Sequence, residues 1–352
     1  MAAYTTIDDP EAHFQAKLYT GDGDANAQTF GGDNALQPDL CWGHHRDGTE
    51  GGGMWDSPRG VLKRINSHAL SAESSQTDSL VSFDADGFTV GGTTANNDAI
   101  NLDSGLFVMH CWKANGSGSS DTNGSINSTK TSANTTAGFS IVTYSGNATD
   151  EATVGHGLGT VPKFMMIKAT GSTENWTVWH HTMTSIEYYM VLANNGAVAD
   201  ADGAILHALP TTTLFSLGSD SRNNGNTIAN VAYIWSPIQG FSKFGTYTGT
   251  GNADGAFVHT GFRPAWIMVK NLEAGSWWIW DNKRLGYNVD NERIFADATT
   301  AESTSDYVDL VSNGFKFRNT DGDINKDAKP YIYAAFAEAP FVNSNGVPCN
   351  AR

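Results

Sequence analysis

The 352 residues carry 21 basic against 37 acidic side chains, a formal charge of −16, so no basic stripe is present and nucleic acid is excluded as a partner. Charged residues make up only 16% of the chain while glycine numbers 38, a balance that favours short strands joined by turns over long salt-laced helices. No apolar run reaches membrane-spanning length and the start, Met1 to Pro10, has no basic-then-apolar leader, so the expectation is a chain made in the cytoplasm and not inserted in a membrane.

In chain order, a short helix is expected first, with Asp9 as cap, Pro10 at the first helical position and Glu11 to Lys17 following. Four landmarks then recur three times in the same order. Each unit opens on a strand leading to Tyr19-Thr-Gly21, Tyr144-Ser-Gly146 or Tyr247-Thr-Gly249. A strand begun by proline comes next, at Pro38, Pro162 and Pro264, as suits a residue that cannot donate to a ladder. A tryptophan strand follows, holding Trp55, Trp179 and Trp280, with Arg59 and Arg284 after it in the first and third units. The unit closes on a strand ending at Trp112, Trp235 or Phe336, preceded by a phenylalanine strand at Phe88, Phe215 or Phe315.

Self-similarity at about a hundred residues gives an all-β chain of three tandem β-sandwich repeats, of jelly-roll or concanavalin-like type. The boundaries are 1–113, 138–239 and 240–352, and the Gly, Ser, Thr and Asn-rich stretch 114–137 reads as a flexible linker. In the third proline strand Trp266, Met268 and Lys270 share one face and Ala265, Ile267 and Val269 the other. Both faces are apolar up to the lysine, which predicts a central strand covered by a second sheet on one side and a neighbouring unit on the other.

At these landmarks the chain resembles a virion structural module of marine tailed phages, those of cyanobacteria and SAR11-type bacteria, often described as tail-fibre-like. The resemblance rests on Tyr4–Pro10, Leu18–Gly21, Trp112–Gly116, Gly138–Tyr144, Gly155–Gly159, Gly261–Trp266, Asn313–Lys316 and Phe336–Phe341, and covers nearly the whole chain. It implies a place in the virion, on a tail fibre or tail tip that contacts the host surface, with other virion proteins as partners and a homotrimer by analogy with such appendages. The chain begins almost at its first repeat, which favours the alternative of a capsid decoration, knob or collar protein.

Candidate sites follow from residue chemistry. Flat aromatic rings stack on sugars while carboxylates take the hydroxyls, which points to Trp176, Trp277, Trp278 and Asp281 as a glycan-contacting cluster, with Trp278 as the surface aromatic. Asp321, Asp323, Asn325 and Asp327 place oxygens at alternate positions, as a calcium loop does, although Lys326 and Ile332 break the EF-hand pattern and a turn between strands competes. No cofactor other than such a calcium is expected. Cys41, Cys111 and Cys349 are odd in number and far apart, and read as structural thiols. The adjacent pairs His44-His45 and His180-His181 point to opposite faces of a strand, so neither pair suits one metal. No sandwich-glycosidase acid strand, nucleophile elbow or phosphate loop is present, so the chain is read as no enzyme, with a polysaccharide depolymerase the third choice.

Overall fold

Proline sets where the main strands start. Pro38 and Pro162 stand two residues ahead of Leu40–His45 and Phe164–Ala169, and Pro264 sits at a register shift within Phe262–Asn271. In this computed structural model, which describes residues 4–92, 98–183, 185–284, 288 and 292–349, the chain is all-β apart from a few single helical turns.

The first large sheet runs Phe14–Thr20, Leu106–Trp112, Leu40–His45, Gly53–Asp56. A second runs Phe139–Ser145, Ala229–Trp235, Phe164–Ala169, Thr177–His180, and a third Ser242–Thr248, Pro330–Pro340, Phe262–Asn271, Trp278–Asp281. Each therefore orders its strands as opening, closing, proline, tryptophan, all antiparallel. Smaller sheets complete the sandwiches: Asn26–Thr29 with Gly87–Val90 and Leu80–Asp84, Ala152–Gly155 with Leu214–Leu217, and Phe257–His259 with Gly314–Phe317 and Val308–Val311.

Strand alternation divides the buried side chains between two cores. In the second unit Met165, Ile167, Ala232 and Ile234 face the small sheet and pack on Val154, Phe215 and Leu217. Their neighbours Phe164, Met166, Tyr233 and Trp235 face the other way, into a core that also takes Leu40, Trp42 and Trp112 from the first unit and Trp266, Met268 and Phe336 from the third. Trp112 meets Trp266 edge-on at 5.5 Å, Trp235 at 6.3 Å and Phe336 at 5.5 Å between ring centroids. One aromatic core therefore joins all three large sheets, and the third proline strand is central, as its two apolar faces predict.

Two expectations need correction. The opening helix stops at Ala12: Asp9 caps a 3-10 turn, Pro10–Ala12, and Phe14–Thr20 is already a strand in register with the closing strand. Tertiary pairing outweighs the local helix signal there. The stretch 114–137 is no free linker. Lys130–Asn134 adds a strand to the second sheet beside Phe139–Ser145, and Ala114, Ile126, Ser128, Ser132 and Ala137 are buried.

The recurrent Tyr-x-Gly has a structural cause. The hydroxyls of Tyr19, Tyr144 and Tyr247 donate to the carbonyls of Ile100, Asn223 and Ile324, in the single helical turns Asp98–Asn101, Ser221–Asn224 and Gly322–Asn325. A Cβ on Gly21, Gly146 or Gly249 would lie 2.1, 2.4 or 2.2 Å from a carbonyl just beyond those turns, so only glycine fits. The last residue of each turn is a buried asparagine. The Asn101 Nδ2 donates to the Asp24 and Gly91 carbonyls, that of Asn224 to Thr149 and Gly218, and that of Asn325 to Asn252 and Asn319. Each Oδ1 accepts a backbone N–H, from Asp22, Asn147 and Thr250 respectively. Asn325→Ala removes three hydrogen bonds made by a buried side chain and is expected to lower stability by about 2–4 kcal/mol, against under ~0.5 kcal/mol for exposed Asn345→Ala, both read from urea denaturation.

Candidate functional site

The four residues expected to meet a glycan all lie inside the molecule, Trp176, Trp277 and Asp281 at seams between units and Trp278 within the third unit. Trp176 and Trp277 donate their indole N–H across those seams, to the Asn66 carbonyl of the first unit and the Val191 carbonyl of the second, each at 2.9 Å. Trp278 is only 2% exposed. Arg293 covers its ring at 4.4 Å and also lies against Phe295 and Tyr307, and the indole N–H donates to Asp323. A sugar needs a free ring face, and this one is occupied. The expectation of a surface aromatic at Trp278 is therefore corrected, and the sequence misled because a copy-specific tryptophan serves equally to pack a copy-specific arginine.

Asp281 is the third unit's member of a recurring seam position. It accepts from the His110 Nε2 of the first unit at 2.9 Å and from the Arg284 Nε at 2.7 Å. Burial alone would raise its pKa, but the Arg284 charge and the His110 hydrogen bond hold it well below the usual carboxylate range. The matching Asp56 of the first unit pairs with Arg59 and accepts from the Tyr233 hydroxyl of the second at 2.7 Å. In the second unit His180 takes this place and faces the backbone of Tyr333 in the third. The contacts run first to second, second to third and third back to first, closing a ring.

A second set of groups marks the same seams. Lys168 Nζ donates to Leu70, Ala169 and Glu174 carbonyls, and Lys270 Nζ to Asn195, Gly196 and Gly275 carbonyls, so each lysine draws part of its cage from the preceding unit. Burial pulls both down to about 8. The register puts His44 at the corresponding position of the first unit, buried beside the third unit's Ala298–Thr300. The closing seam is also the most charged: Arg46 pairs with Glu292 and Glu302, and burial pushes Glu302 up to about 6.

The calcium reading does not survive the geometry. Asp321 caps a helical turn by accepting the Asp323 N–H, Asp323 turns to Ser276 N–H and the Trp278 indole, Asn325 is the buried node described above, and Asp327 is exposed. Alternating oxygens here serve a capped turn, and among the described residues no group of three or more His, Cys, Asp or Glu is placed to hold a metal.

An open cleft of about 230 Å³ lies between the first and second units, lined by Pro58, Arg59, Glu73, Lys130, Thr143 and Ser145 among others. Its charges are already paired: Arg59 with Asp56 and Glu73, Lys130 with the Pro58 carbonyl. Glu73 is the one carboxylate among its lining residues, which does not make the two-carboxylate arrangement of glycoside hydrolysis. A family described as a domain of unknown function, DUF7483, matches residues 9–340, from the Asp9 cap to the end of the last closing strand. The chain belongs to the DUF7483 family. Neither curated proteins nor solved structures give a match to it. What the DUF7483 match encompasses here is the whole ring of sheets, with all three seams, and no single unit of it.

Proposed function

We propose that this DUF7483 chain is a structural protein of a tailed-phage virion, part of a tail fibre or tail tip. The observation that carries the reading is how the aromatic and ionic side chains are used: Trp112, Trp235 and Phe336, with Trp176, Trp277, Asp56, Asp281, Lys168 and Lys270, all close units onto one another. That is the design of a rigid part, and the strings on which the phage resemblance rests include Tyr19 and Tyr144 of the tyrosine nodes and Trp112 and Phe336 of the closing aromatics that build it. In this reading the partners are other virion proteins, and any host-surface glycan is met by the polar turns between strands.

One observation favours a second reading, a head decoration, knob or collar protein: burial of Trp176, Trp277 and Trp278 removes the aromatic platform that motivated host contact. Immunogold labelling and subtomogram averaging of intact virions separate the two. Density at the distal tail is the expected result; regular density over the capsid lattice would replace the fibre reading with the decoration reading, and absence from purified virions would sink both.

A further inference from the structure

Cys41 lies on the proline strand of the first unit and Cys111 on its closing strand, directly opposite each other in the ladder. The Arg46 N–H donates to the Leu106 carbonyl at 2.8 Å, which makes that opposed pair a hydrogen-bonded one. Stepping back two residues at a time assigns His44/Val108, Trp42/His110 and Leu40/Trp112 to the same class, and leaves Cys41/Cys111 a non-hydrogen-bonded pair. Opposed Cα atoms at such a position are about 4.5 Å apart with their side chains close, inside the ~4.4–6.8 Å that a disulfide spans. The two Sγ atoms are 3.5 Å apart and both thiols are buried.

The other units show what this position needs when it serves packing alone. Its counterparts are Met165 opposite Ile234 and Ile267 opposite Ala335, each with at least one bulky apolar side chain. Only the first unit sets two small thiols face to face.

We propose that Cys41 and Cys111 form a cross-strand disulfide when the protein folds in an oxidising medium, stapling the first unit's proline strand to its closing strand. The oxidant is a small-molecule disulfide. One cysteine thiolate attacks it and releases one thiol, leaving a mixed disulfide; the second cysteine thiolate attacks that bond and releases the other. Two cysteine thiols lose two hydrogens, and the oxidant is reduced to two thiols. Burial raises the Cys41 pKa well above the ordinary thiol value, so the exchange proceeds while the strands are open during folding. In a reducing compartment the pair stays as thiols. The bond would link residues 70 apart, a long loop whose closure constrains the unfolded chain strongly.

The test uses the full chain with exposed Cys349→Ser, refolded in equal concentrations of reduced and oxidised glutathione, then unfolded and alkylated without reductant. The expected result is a mass lower by two hydrogens, no alkylation, a linked Cys41–Cys111 peptide pair in a non-reducing digest, and a urea midpoint that falls when dithiothreitol is added. The reference is Cys41→Ile with Cys111→Ala, which copies the third unit's apolar pair and keeps the site filled; its midpoint is expected to ignore dithiothreitol. Two alkylated thiols or glutathione adducts per chain would overturn the proposal, and a linked pair whose reduction leaves the midpoint unmoved would overturn the stapling.

Discussion

Trp266→Ala is expected to lower the stability of the whole chain by about 3–5 kcal/mol, and to move one unfolding transition instead of that of a third of the molecule. Trp266 is buried, and its ring lies within 6.5 Å of Phe14, Trp42, His110 and Trp112 of the first unit as well as Phe336 of its own. Deleting it opens a cavity whose walls belong to two units, so neither collapses onto it without moving the other. Far-ultraviolet circular dichroism and tryptophan fluorescence in a urea series provide the check. Coincident curves shifted together are expected. Three independently cored sandwiches would give a biphasic curve in which only one phase moves.

Much of this architecture was legible in the chain. Strand type and order followed from turn residues, prolines and alternating apolar runs, because those signals are local. The ring was harder to read. Its seams are made by Asp56 with Tyr233 and Asp281 with His110, partners separated by 177 and 171 residues, and no local pattern marks them. One signal was available and passed over: the buried asparagines Asn101, Asn224 and Asn325 each precede the closing aromatic by eleven residues, 112 − 101, 235 − 224 and 336 − 325. The last of them also fits the spacing of a calcium loop, since a capped helical turn and a calcium loop both space oxygens at alternate positions. Trp278 failed for a similar reason, because an unmatched aromatic looks like a surface feature until Arg293 is found over its ring.

Acid should loosen the ring well above the carboxylate range. His44, His110 and His180 are buried at the seams or beside them, and burial lowers all three below the ordinary histidine value, His180 to about 3. The hydrogen bonding of His180 shows why: its Nδ1 lies within bonding reach of both the Thr182 hydroxyl, at 2.7 Å, and the Thr182 N–H, so a proton there would displace them. Neighbouring charge adds to the opposition, from His181 and Lys163 at His180 and from Arg284 at His44 and His110, where Asp281 works the other way. A depressed folded pKa means that the unfolded chain binds the proton first, so stability is fully present above about pH 6.5 and is lost as pH falls toward the folded value. At pH 5 the loss is about 2 kcal/mol for His180, and His44 and His110 add to it in the same direction. Glu302, raised to about 6, works in the opposite sense between pH 6 and its unfolded value near 4.5, but its shift is smaller than that of His180 alone. The urea midpoint is therefore expected to fall from pH 7 to pH 5, and His180→Gln to flatten that slope at a modest cost at pH 7. A midpoint constant over this range would mean that these histidines reach water in the folded state and that the seams are open.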